Sequence, residues 1–152
     1  MCIRDRAQGV AAAEPGSKRK VRRVVRCESN GRPQSCPVRL DGAPVRLLRQ
    51  LSVLPCREGQ GWGYKRNEVW TSRGCQGDFE VADEDGRFVD VPRRLTCESK
   101  SKKRRFCGAS ISVGAAVRQQ LSSTECVEGS TWGWSRNGIW VDGGCRAEFS
   151  VN

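Results

Sequence analysis

Trp62-Gly63-Tyr64-Lys65-Arg66-Asn67-Glu68-Val69-Trp70-Thr71 returns further along the chain as Trp132-Gly133-Trp134-Ser135-Arg136-Asn137-Gly138-Ile139-Trp140-Val141. Each stretch reads as a β-hairpin: two arms rich in aromatic and β-branched residues flank an Arg-Asn turn. Pairing the arms about that turn sets Tyr64 against Val69 and Trp62 against Thr71 on one face. Gly63 then faces Trp70 on the other, and the second copy repeats the pattern with Gly133 and Trp140. A ring laid over a cross-strand glycine covers exposed backbone. Trp62 and Trp132 are therefore assigned to a core. Trp70 and Trp140 lie on the second face, where they either shield glycine or stack against a ligand.

Working outward, the hairpins sit inside a longer repeat. Cys27, Cys36, Cys56 and Cys75 recur as Cys97, Cys107, Cys126 and Cys145. Ser29/Ser99, Gln50/Gln120, Ser52/Ser122, Glu58/Glu128 and Phe79/Phe149 recur with them. Each copy is about 55 residues, a size at which a hydrophobic core alone is marginal and cross-links are usual. Four cysteines per copy read as two disulfides, hence an oxidising compartment. Zinc is a poor alternative, because the chain has no histidine and no C-x-x-C pair. Cys56 and Cys75 lie symmetrically about the hairpin turn, and Cys27 and Cys36 straddle Asn30-Gly31. Antiparallel arms thus bring Cys27 to Cys36 and Cys56 to Cys75, with Cys97–Cys107 and Cys126–Cys145 in the second copy.

The expected architecture is all-β: two tandem small disulfide-bonded domains of about five short strands each, barrel or sandwich, after a disordered lead. Boundaries are set at 1–24 for the lead, 25–82 and 95–152 for the repeats, and 83–94 for a linker. In that linker Phe88, Val89 and Val91 are expected to add a short edge strand. The opening MCIRDR resembles translated sequencing-adapter read-through, which would make Cys2 foreign to the natural protein. The small residues that follow suit the neighbourhood of a signal-peptide cleavage site whose apolar segment is missing. No apolar run is long enough to span a bilayer.

The net charge of +10 is concentrated outside the repeated residues. One basic run spans 17–23; another, Lys100, Lys102, Lys103, Arg104 and Arg105, fills the first loop of the second copy. Such runs serve as solvated surface or attract anionic surfaces. Their absence from the first copy argues against nucleic acid as the shared ligand. Catalysis is not expected: there is no imidazole base, the cysteines are committed to disulfides, and no phosphate or calcium loop occurs. No metal or cofactor is expected. The residues suited to binding are Trp70, Trp140, Arg66, Arg136, Asn67 and Asn137, since aromatic faces beside amide and guanidinium donors fit sugar rings.

The order C-E-S…C…R-Q-L-S…C…W-G-Y…N-x-[VI]-W…G-C-[RQ]-[AG]-[ED]-F resembles domain-of-unknown-function family 3011, a bacterial family. The second copy carries GCRAEF (144–149) and the first GCQGDF (74–79), so that Gln76 stands where the second copy has Arg146. The resemblance implies a disulfide-bearing β domain, often in tandem, secreted or periplasmic. It implies no activity. The expected function is an exported, non-enzymatic tandem binding module for cell-envelope or extracellular polysaccharide. The alternative is a small inhibitor or protein-interaction domain acting on an envelope enzyme.

Overall fold

The computed structural model describes residues 22–89 and 91–152. Most of the N-terminal lead lies outside them, including MCIRDR, Cys2 and the basic run as far as Val21. Among the described residues the regular structure is all strand apart from one 3-10 turn, Lys100–Lys102. The first half holds β1 (Arg23–Glu28), β2 (Gln34–Pro37), β3 (Val45–Gln50), β4 (Trp62–Lys65), β5 (Glu68–Thr71) and β6 (Gln76–Val81). The second holds β7 (Arg93–Glu98), β8 (Arg105–Gly108), β9 (Ala115–Gln120), β10 (Trp132–Ser135), β11 (Gly138–Val141) and β12 (Arg146–Val151). Each half thus has one strand more than the five or so anticipated.

The strands of each half form two antiparallel three-stranded sheets. Their orders are β1-β6-β3 and β2-β5-β4, then β7-β12-β9 and β8-β11-β10. The hairpin register is the one implied by the sequence, with Gly63 opposite Trp70 and Gly133 opposite Trp140. The strand after each hairpin leaves the hairpin's sheet. β6 lies between β1 and β3, and β12 between β7 and β9. Leu47, Phe79 and Val81 from one sheet meet Trp62 and Val69 from the other, so the core is the layer between two sheets. Trp62 and Trp132 are 1% and 3% exposed. Their rings lie 4.9 Å from those of Phe79 and Phe149.

Disulfides staple this thin core. Cys27–Cys36 ties β1 to β2, and Cys97–Cys107 ties β7 to β8, each joining one sheet to the other. Cys56–Cys75 and Cys126–Cys145 fasten the long loop after β3 or β9 to the turn before the last strand. The same loop is clamped by side chains. Gln50 Oε1 accepts from the Cys56 N–H at 2.8 Å, while its amide donates to the Ser52 carbonyl. Ser52 Oγ accepts from the Gln76 N–H. Gln120 and Ser122 repeat these bonds. Ser29 and Ser99 close the first loop on Arg32 and Lys103 and accept from Gly74 and Gly144. The repeated polar residues are thus largely fold-makers, which satisfy loop backbone that no strand pairs.

The two halves dock head to tail. Ser110 N–H donates to the Leu47 carbonyl at 2.7 Å, and Leu47 N–H donates to Ser110 Oγ at 2.8 Å. Arg93, nearly buried, donates to both the Leu47 and Ser110 carbonyls. Burial, with the neighbouring Arg46 charge second, pulls its guanidinium down to about 10, so it stays charged at neutral pH. Gln50 donates to the Phe106 carbonyl, and the Arg57 guanidinium lies 4.6 Å from the Phe106 ring centre.

The expected edge strand at Phe88, Val89 and Val91 does not form. Val89 N–H donates to Glu80 Oε2 and Val91 N–H to the Val89 carbonyl, so these groups are committed elsewhere. Glu80 is 1% exposed and also receives Arg22 at 3.0 Å and Arg46 at 2.7 Å. One buried carboxylate thereby pins the connecting segment to β6.

Candidate functional site

The outer faces of the hairpin sheets carry the aromatic candidates. Trp70 and Trp140 are half-buried, each lying flat on its cross-strand glycine. A Cβ added at Gly63 would meet the Trp70 indole at 2.5 Å, and one at Gly133 would meet that of Trp140 at the same distance. The glycines are therefore required, because they let each ring rest on bare backbone with its other side turned outward. Here the two halves diverge. Arg104 places its guanidinium 4.2 Å from the centre of the Trp140 ring and reaches Asp142 at 3.5 Å. Among the described residues no cation stacks on Trp70. The β2 residue beside Trp70 is Ser35, whereas the β8 residue beside Trp140 is Phe106.

The Arg-Asn turns are separated from these platforms. One residue pair, Tyr64–Val69, lies between the turn-closing pair Lys65–Glu68 and the pair Gly63–Trp70, so the two are displaced by two residues, roughly 7 Å along the strand. Asn67 Oδ1 accepts from the Leu40 and Asp41 N–H groups at 2.9 and 3.2 Å. Asn137 Oδ1 instead accepts from the Glu58 N–H across the seam. Arg136 approaches Glu58 at 3.9 Å, while Arg66, at φ 46°, holds the exposed turn of the first half. The structure thus does not gather tryptophan, arginine and asparagine into one cluster. The asparagines cap backbone, Arg136 borders the seam, and the tryptophans stand apart on the sheet face.

A second feature was not apparent in the sequence. A cleft of about 430 Å³ opens along the seam, lined by Arg46, Glu58, Phe88, Ser110, Ser112 and Arg136 among others. The Arg46 guanidinium lies 4.5 Å from the centre of the Phe88 ring and is itself held by Glu80. The signal was faint: Glu80 has Ser150 as its counterpart, and Phe88 is an aromatic in a polar connecting segment.

The chain belongs to the family described as "Protein of unknown function (DUF3011)", whose model matches residues 2–149. Among curated proteins it is similar to "Lectin ADEL" of Aplysia dactylomela. The two are 27% identical over 114 residues, which cover 69% of this chain and 50% of the lectin. The chain thus spans about half the length of that relative. No solved structure matches it. Four disulfides fit an oxidising compartment. Among the described residues no helix is long and apolar enough to cross a membrane.

Proposed function

We propose that this chain is an exported, non-enzymatic carbohydrate-binding module for cell-envelope or extracellular polysaccharide, acting through its two hairpin faces. The observation that carries this reading is the platform repeated in both halves: an indole laid on glycine with its outer side directed away from the core. The similarity to a lectin supports it. Sugar rings present apolar C–H faces that stack on indole, and their hydroxyls match the polar residues beside it. Trp70 and Trp140 are the stacking residues, and Arg104, which lies over the Trp140 ring, is a donor that the first half lacks. Asn67, Asn137 and Arg136 shape the turns and the seam. Two platforms on one chain suit a polymeric ligand, because the second contact is made at raised effective concentration.

A glycan array probed with the full chain tests this reading, with Trp70→Ala, Trp140→Ala, the double variant and Phe88→Ala alongside. Each lost platform should weaken binding by about 1 kcal/mol or more, and the double variant should lose it. An array without hits, or a double variant that binds as well as the parent, would overturn the proposal. Loss with Phe88→Ala alone would move the site to the seam cleft.

A further inference from the structure

The seam joins unlike surfaces. The first half contributes the outer edge of β3 and the loop after it, through Leu47, Gln50, Arg57 and Glu58. The second half contributes Phe106, Gly108 and Ser110 together with the Arg136-Asn137 turn. Contacts of this kind do not close on themselves, so each half has one such surface left over.

The surface left on the second half is the edge of β9. Val117, Gln120 and Glu128 occupy the positions of Leu47, Gln50 and Glu58. The bulge at Leu48 that shapes the β3 edge recurs at Arg118. Gln120 makes the same loop clamp as Gln50. Leu47 is 1% exposed beneath its partner, whereas β9 is half-buried or open along its length, and Leu121 and Val127 beside it are 43% and 44% exposed.

The surface left on the first half has been altered. Ser35, Pro37 and Arg39 stand where the seam uses Phe106, Gly108 and Ser110. A Cβ at Gly108 would lie 2.5 Å from Gln50 Oε1, so proline at that position cannot accept the glutamine. Arg39 lacks the hydroxyl that receives the Leu47 N–H, and Asn67 is turned inward on its own backbone. A second copy of the chain therefore has no matching face to offer β9.

We propose that the β9 edge is a docking face for a further repeat of the second-half kind, one carrying the aromatic-Cys-Gly-Ala-Ser surface of residues 106–110. The chain is then built as links of a head-to-tail array, and Pro37 with Arg39 prevents the links from polymerising at random. Charged or irregular edges commonly serve that protective purpose in β proteins. The proposal is independent of the glycan reading.

The test extends the full chain by a second copy of residues 83–152 after Asn152, and reads amide exchange at Val117. In the parent, Leu47 N–H is held by Ser110 Oγ, while Val117, at the corresponding position, lies on β9 at the edge of its sheet. Docking of the added repeat should slow Val117 exchange by about tenfold or more. Unchanged exchange in a folded three-repeat chain would overturn the proposal. Should the extended chain not fold, the variant Ser35→Phe/Pro37→Gly/Arg39→Ser decides by sedimentation. Concentration-dependent oligomers support a docking face on β9; a folded monomer at millimolar concentration overturns it.

Discussion

Four of the five hairpin tryptophans form two pairs that differ by what their rings touch. Trp62 and Trp132 are enclosed between sheets against Phe79 and Phe149, while Trp70 and Trp140 rest on glycine at the surface. Trp132→Ala should lower stability by about 3–5 kcal/mol in denaturant titration, through lost burial and the cavity left behind. Trp140→Ala should cost markedly less in the same measurement. Asp78 supplies a pH dependence. It accepts from Arg26 Nε at 2.8 Å with Arg49 also near, and the Arg26 hydrogen bond holds its carboxyl below the ordinary 3.8. A carboxyl depressed in the folded state contributes stability above its unfolded value and loses it as pH falls through the folded one. Melting temperature should therefore fall on acidification below about pH 4, and Asp78→Asn should flatten that part of the profile.

At the level of elements, two short sheets with a core one layer thick depend on their staples. The disulfides that join β1 to β2 and β7 to β8 are the covalent links between sheets. The other pair holds loops that contribute no strand. Each such bond stabilises by roughly 2–4 kcal/mol, comparable to what a domain this small can hold in total. Reduction should collapse the near-ultraviolet dichroism of both halves, and non-reducing peptide maps should show no bond between them. The Gln50 and Gln120 clamps act beside the disulfides. Gln120→Ala strips the Cys126 N–H of its acceptor and should cost about 1–2 kcal/mol while leaving Cys126–Cys145 intact.

For the whole molecule, the seam decides whether the halves behave as one body. Leu47, Ser110 and Arg93 exchange four hydrogen bonds there. Glu80 anchors the connecting segment through Arg22, Arg46 and the Val89 amide. Ser110→Ala leaves the Leu47 N–H unsatisfied in a covered position, a loss of about 1–3 kcal/mol. Calorimetry is then expected to resolve two transitions for the variant against one for the parent. Glu80→Ala should act more strongly, by about 3–5 kcal/mol, because it leaves two arginines without their shared carboxylate.

What was legible in advance is what depends on neighbours along the chain. Period-two alternation, the glycine opposite each tryptophan and cysteines straddling a turn determine the hairpin, its register and the expected disulfide pairing, because strand pairing about a turn is local geometry. The allocation of strands to sheets was not legible, since β6 and β12 leave their hairpins to pair with strands distant in sequence. The fate of Phe88 was equally hidden: a single carboxylate, Glu80, draws the linker amide and Arg46 together and leaves no edge strand to form. The binding residues named from composition were separated for the same reason. Asn67 and Asn137 are alike in sequence, yet one caps its own loop and the other reaches across a seam that exists only once the halves have docked. Identity and spacing determine the units, whereas burial and the competition for unpaired backbone groups decide how the units meet.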